Sequence, residues 1–130
     1  MAKNCFCGNT KRYIDCCKTI HDNILNAKTA EQLMRSRYSA FTQGNGDYLM
    51  QSHHSSTRPV KDKKAIVSWA NSVQWIKLEV LSTTKGKEND MEGTVTFKAF
   101  FYEKGKVSSI DEKSAFVKEN GHWVYLGLAT

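Results

Sequence analysis

With 130 residues, 40% of them hydrophobic and 11% aromatic, the chain has enough apolar material for a core of its own, which excludes a disordered polypeptide and a peptide dependent on disulfide staples. No apolar run approaches the roughly 18 residues of a membrane-spanning helix. The formal net charge of +6 favours acidic partners, yet the lysines are scattered and no block of five or more like charges occurs, so a mildly basic solvated surface is expected rather than a sequence-specific nucleic-acid binder.

All four cysteines fall at the start of the chain, as Cys5-Phe6-Cys7 and Cys16-Cys17 on either side of a polar loop. Two pairs of soft ligands in a stretch too short to form a core predict a structural zinc knuckle over residues 1–24. Gly8 suits it, because a glycine with positive φ turns backbone N–H groups toward the thiolates. The competing chemistry is a pair of disulfides. Met1-Ala2-Lys3-Asn4 leads into the cysteines without the apolar segment of roughly 7 to 15 residues of a signal peptide, so a reducing cytoplasmic location is expected, where disulfides do not persist. The fourth ligand stays open. Adjacent Cys16 and Cys17 can both face one ion only if the backbone turns there, and His21, four residues past Cys17, is the alternative. Tetrathiolate sites accept zinc or iron; the absence of a redox-partner motif favours Zn2+.

Beyond the cysteines, Thr29 followed three residues later by Gln32 predicts a capped helix start. Leu33, Met34, Arg37, Tyr38 and Phe41 recur at helical spacing until Gly44, a C-cap. A short helical turn from Asp47 carries Tyr48 and Leu49. Residues 52–59, with the chain's single proline at Pro59, read as a loop. Lys61 to Ala70 predicts a third helix, with Ile66, Val67 and Trp69 for the core. From Val73 the period changes from 3.6 to two. Strands are expected over Trp75–Thr84, Gly93–Tyr102, Val107–Lys118 and His122–Leu126; Val95, Phe97, Ala99 and Phe101 share one face of the second, and Asn120-Gly121 marks the last hairpin. Helices followed by an antiparallel meander predict an α+β fold over residues 25–130, with the helices packed on one face of a curved sheet.

Several polar residues are candidates for a site. Arg35 and Arg37 flank Ser36 on the main helix, and Arg37 lies beside the apolar stripe that includes Tyr38. Its planar fork suits a carboxylate or phosphate at the mouth of a cone; the structural alternative is an ion pair with Glu112 that fixes helix to sheet. His54, in the loop with Ser56, Thr57 and Arg58, is placed either to act as a general base or to hydrogen-bond backbone around Pro59. Trp69, Trp75, Phe97, Phe101, Phe116 and Trp123 are either pocket wall or ordinary core. No nucleophile with its base, phosphate-cradling glycine loop or carboxylate pair at fixed spacing is present, which leans away from an enzyme.

The cysteine run resembles the SEC-C motif, the small zinc module at the C-terminus of the preprotein-translocating ATPase SecA. Leu33-Met34-Arg35-Ser36-Arg37-Tyr38-Ser39-Ala40-Phe41, Tyr48-Leu49, His54-Ser55-Ser56-Thr57-Arg58-Pro59, Gly93-Thr94-Val95-Thr96-Phe97 and Glu112-Lys113-Ser114-Ala115-Phe116 resemble the bacterial YchJ family in order and spacing, over nearly the whole chain. The resemblance implies a knuckle ahead of a cone-shaped, cystatin-like or nuclear-transport-factor-2-like domain, with Cys5, Cys7, Cys16 and Cys17 as ligands, Cys17 standing where many SEC-C motifs have histidine. Two positions depart from the family pattern: Asp111 stands where a histidine usually precedes the Glu-x-Ser-x-Phe strand, and His53-His54-Ser55 replaces Trp-His-Pro. A catalytic role needing a histidine beside Glu112 is therefore not supported, and the cone fold alone hosts both enzymes and binding modules.

Two functions follow as expectations. In the first, a zinc-binding accessory protein docks on a protein or ribosomal partner through its knuckle, with Lys3, Lys11, Arg12 and Lys18 supplying charge and Phe6, Tyr13 and Ile14 apolar contact. In the second, the cone binds or transforms a small molecule in a pocket around Arg37, His54 and Glu112, with Arg35, Tyr38 and Arg58 nearby.

Overall fold

The computed structural model describes residues 4–129. After the cysteine loop and a single 3-10 turn, α1 (Cys17–Asp22) leads through a second such turn into α2 (Ala30–Gln43), α3 (Gly46–Gln51) and α4 (Lys63–Ser72). The strands β1 (Gln74–Lys85), β2 (Glu92–Glu103), β3 (Lys106–Glu119) and β4 (His122–Leu128) follow as an antiparallel meander in sequence order. The expected α+β architecture, helices on one face of a four-stranded sheet, is present.

Local chemistry sets the ends of α2. The Thr29 hydroxyl accepts the Gln32 N–H at 3.1 Å, and the Gln32 side chain accepts the Lys28 N–H at 2.6 Å. Gly44 ends the helix in the left-handed region at φ 63°, and Asn45 caps α3 by accepting the Tyr48 N–H. The buried surface of α2 is wider than one apolar stripe: Ser36, Ser39 and Ala40 are buried along with Leu33, Met34 and Tyr38. The sheet covers one side and α1 another, so small residues on the second side let α1 approach closely. After Pro59, a 3-10 turn over Val60–Asp62 delays α4 to Lys63.

Strand β2 alternates as expected, with Gly93, Val95, Phe97, Ala99 and Phe101 buried. Gly93 is required where β1 turns into β2, because a Cβ there would lie 2.4 Å from the Gly86 Cα. That tight crossing lets the Gly86 carbonyl accept the Ala30 N–H at 2.9 Å, tying the turn to the start of α2. Asn120 and Gly121 both have positive φ, as a type I′ hairpin demands, and Lys104-Gly105 repeats that chemistry between β2 and β3. Register irregularities in β1 at Ile76 and Leu81 bend the sheet.

Leu33, Leu49, Phe97, Phe116 and Trp123 fill the space between α2 and the concave face of the sheet. Ile20 and Ile24 join the same cluster, so residues on both sides of the expected boundary near residue 24 share one core. The segment read as a loop is one, and it is stitched to β4: Tyr125 donates its N–H to the Ser52 carbonyl and accepts the His54 N–H through its own, both at 2.8 Å, in a parallel bridge between His53 and Tyr125. Among the described residues, no helix is long and apolar enough to cross a membrane.

Candidate functional site

The Sγ atoms of Cys5, Cys7, Cys16 and Cys17 all lie within 4.8 Å of one another. The loop that gathers them is closed by the Cys5 N–H on the Lys11 carbonyl at 2.7 Å and the Gly8 N–H on the Cys5 carbonyl at 3.0 Å, with Gly8 at φ 90°. Adjacent Cys16 and Cys17 converge because Cys16 leaves regular geometry, at φ −124° and ψ −107°, between the 3-10 turn and α1. All four thiols are free.

His21 is not among the converging ligand atoms. Its Nε2 lies 2.7 Å from the Ser36 carbonyl, which only accepts, so Nε2 carries the proton and Nδ1 accepts the Tyr13 hydroxyl at 2.8 Å. Both nitrogens are thus committed, and burial lowers the His21 pKa, keeping the ring neutral. One turn beyond Cys17, the ring faces α2 rather than the thiols.

The electrostatics of the four thiols are mutually restrictive. Hydrogen bonding by Cys17 pulls the Cys7 thiol down to about 5, whereas burial, reinforced by the Cys7 charge, pushes Cys16 up to about 12. Cys17 is raised as well, chiefly by its bond to Cys7. The protein frame alone thus favours a thiolate at Cys7 and disfavours one at Cys16 and at Cys17, and four thiolates this close require a cation among them. The donor set fits a metal ion. On the helix side, the Ser39 hydroxyl lies 3.6 Å from the Cys5 Sγ, and Arg35 donates from Nη1 to the Cys7 carbonyl at 2.7 Å while its Nε holds Glu31. Arg35 thus belongs to the knuckle.

The second site is a cavity of about 490 Å³ enclosed by α2, α3, α4 and the concave face of the sheet. Its walls are apolar and aromatic, including Phe41, Ile66, Trp69, Trp75 and Phe97, with Arg37, His53, Glu112, Ser114 and Tyr125 as polar lining. Trp75 stands edge-on to Trp69 and Tyr38 at centroid distances of 5.5 and 5.7 Å. Both indole N–H groups are used within the protein, on Glu103 and on the Ala70 carbonyl, so the rings present apolar surface to the cavity. Phe101, Phe116 and Trp123 do not border it; Phe116 and Trp123 are fully buried core.

Of the polar residues expected here, Arg37, Tyr38 and Glu112 line the cavity; Arg35, His54 and Arg58 do not. The bridge to β4 explains the exchange of histidines. Successive residues of an extended segment face opposite sides, so His53 turns inward against the Tyr125 ring, at 5.0 Å between centroids, and His54 turns outward. There His54 Nδ1 accepts the Ser56 N–H and hydroxyl, and Nε2 lies 3.4 Å from Glu119. Arg58 donates twice to the His53 carbonyl, at 3.1 and 2.9 Å. Burial first, then Arg37 and Arg58, push the His53 pKa down to about 4, so it is neutral at pH 7.

Arg37 is only 7% exposed. Its Nη1 donates to the Leu49 carbonyl at 2.9 Å and to the Ser52 hydroxyl at 2.7 Å, and the guanidinium sits 4.8 Å above the Tyr125 ring. The expected ion pair with Glu112 is not formed: among the described residues, neither is within salt-bridge distance of an opposite charge. Burial lowers the Arg37 pKa to about 10, a measure of what the lone cation costs there. The two sites are joined through hydrogen bonds. Tyr13 and His21 reach the Ser36 carbonyl, the Ser36 hydroxyl meets the Tyr48 hydroxyl at 2.5 Å, and the Tyr48 carbonyl accepts the Ser52 hydroxyl that in turn holds Arg37.

With this geometry in place, the family model described as YchJ, middle NTF2-like domain, matches residues 29–127. The chain belongs to the YchJ family. A UPF0225 protein of Vibrio cholerae is 41% identical over 95% of this chain and 80% of its own length. A UPF0225 protein of Streptomyces coelicolor is 39% identical over 93% of this chain and 90% of its own. Among solved structures, a SEC-C motif containing protein from Rhodopseudomonas palustris superposes with a TM-score of 0.87 at 31% identity, covering 98% of both chains. A second, from Psychrobacter arcticus, gives 0.77 at 34% identity over 92% of this chain and 73% of that one. This YchJ family member thus shares its fold, over nearly its whole length, with proteins that contain a SEC-C motif.

Proposed function

We propose that this protein is a zinc-stapled binding module whose cone cavity receives a small organic ligand. The observation that carries it is a guanidinium, buried and without a counterion within salt-bridge distance among the described residues, bordering an apolar cavity of about 490 Å³, a size and character typical of ligand pockets. Zinc would be held by Cys5, Cys7, Cys16 and Cys17; it would supply the charge that lets all four thiols ionise and would lock the knuckle against α2. Native mass spectrometry of the reduced full chain tests both halves. One zinc per chain together with a co-purifying organic mass supports the reading; a chain free of metal overturns the staple. For the cavity, filling it by Ala99→Phe should displace that organic mass with zinc retained, and a mass that stays bound places the ligand elsewhere.

Docking through the knuckle is the second reading, and exposed apolar side chains favour it: Phe6 is 52% and Ile14 55% exposed. The charges are less favourable than the sequence alone implies. Arg12 is paired with Asp15 and Lys18 with Asp22, which leaves Lys11, while Lys3 lies outside the described residues. Cosedimentation with ribosomes that is lost in a Phe6→Ser, Ile14→Ser variant retaining zinc would support a ribosomal partner; a wild-type chain that stays in the supernatant would remove it.

A further inference from the structure

Resting on the cavity reading above, we propose that the ligand bears a dipolar head, a carboxylate for Arg37 and an ammonium for Glu112, on an aromatic or branched apolar body: an amino-acid-like zwitterion.

The charge inventory of the cavity leads there. Arg37 spends Nη1 on Leu49 and Ser52, and its Nε and Nη2 have no protein partner among the described residues. No fully buried side-chain nitrogen in the described structure lacks a partner, so these two nitrogens retain access to open space, and Arg37 borders the cavity. Two adjacent guanidinium donors match the two oxygens of a carboxylate. Glu112 also lines the cavity, near enough that its charge acts on Arg37, and among the described residues its side chain accepts only the Ser114 hydroxyl, at 3.2 Å, leaving acceptor capacity free. His53 is neutral and adds no charge.

One cation and one carboxylate, both bordering a low-dielectric space and not paired with each other, discriminate among ligands by charge. A simple anion gains Arg37 but is repelled by Glu112. A simple cation meets the reverse. A dianion such as a phosphate monoester finds a single guanidinium and an opposing carboxylate. A zwitterion satisfies both groups, and its apolar body fits the wall of Trp69, Trp75 and Phe41.

The test is a matched series on the zinc-loaded full chain: L-phenylalanine, 3-phenylpropionate and 2-phenylethylamine. Affinity is read by calorimetry, and the Trp69 and Trp75 indole N–H resonances report whether the cavity is filled. Phenylalanine is expected to bind about tenfold or more tighter than either fragment, since each lacks one charge-assisted contact. Glu112→Gln should reduce phenylalanine to the level of phenylpropionate and leave phenylpropionate as tight or tighter, a readout that does not depend on an Arg37 variant folding. Phenylpropionate or phenylethylamine binding in the cavity as tightly as phenylalanine overturns the dipolar head while the cavity reading stands. Shifts of both indole resonances with the full preference present support the proposal, and failure of all three probes to move them overturns proposal and cavity reading together.

Discussion

The knuckle and the cavity treat their polar groups in opposite ways. In the knuckle nearly everything is closed upon itself: four thiols converge, both nitrogens of His21 are bonded, and Arg12 and Lys18 each hold an acid three or four residues away. In the cavity, Arg37 and Glu112 have no counterion within salt-bridge distance among the described residues, and they stand among residues drawn from α2, α3, α4 and the sheet. On the proposed reading, the closed polar groups serve a staple, and the groups left open toward a concave apolar space serve a receptor.

The strongest way to break this comparison is to open the knuckle. Cys7→Ser should abolish stoichiometric metal binding and cost on the order of 3 kcal/mol or more of folding free energy, measured by urea denaturation with and without added zinc. Because α1 and Arg37 are linked through Ser36, Tyr48 and Ser52, the same variant should also weaken ligand binding in the cavity. Unchanged affinity in a metal-free, folded chain would make the two sites independent.

A smaller effect separates support from ligation. His21→Phe removes the hydrogen bonds to the Ser36 carbonyl and the Tyr13 hydroxyl and should cost about 1–3 kcal/mol, with the metal stoichiometry intact. Loss of metal in that variant would put His21 back among the ligands.

Acid should reveal the cavity histidine. His53 titrates near 4 in the folded chain and near its ordinary 6.5 when unfolded, so between those values the unfolded state binds more protons and stability falls as pH falls. The burial-lowered pKa of His21 acts in the same direction. Allowing for solvent screening of the partly exposed His53 ring, its share of the loss should be on the order of 1–2 kcal/mol, and His53→Gln should flatten the slope over that window. An unaltered slope would show that His53 is not the titrating group.

The smallest change is expected at the exposed ion pairs of the knuckle. Arg12→Ala should alter stability by about 0.5 kcal/mol or less, because both partners are solvated. A loss of several times that would mean that Arg12 supports the cysteine loop itself.

The clustering of the four thiols was legible because the cysteines are near neighbours in the chain, within so short a span that they meet in one loop. The helix carrying Arg37 and the four strands were legible from caps, glycine turns and periodicity, all of which act over a few residues. The polar side of the cavity was only half legible. Arg37, Tyr38 and Glu112 lie on regular elements whose period assigns a face, whereas Arg35 lies on the same helix yet reaches the Cys7 carbonyl, because α2 is covered on two sides. The choice between His53 and His54 depended on a bridge to Tyr125, about seventy positions away, that sets the alternation of an otherwise aperiodic segment.

From residue order alone came the four clustered thiols, the capped main helix, the meander and the α+β class, since each depends on interactions within a turn, a helix or a hairpin. Folding in three dimensions determined which histidine faces the cavity, that Arg37 and Glu112 do not form an ion pair with each other, and that His21 is tied to Ser36 and Tyr13. These depend on distant segments meeting at one place, where burial and the loss of water set the cost of every polar group left without a partner.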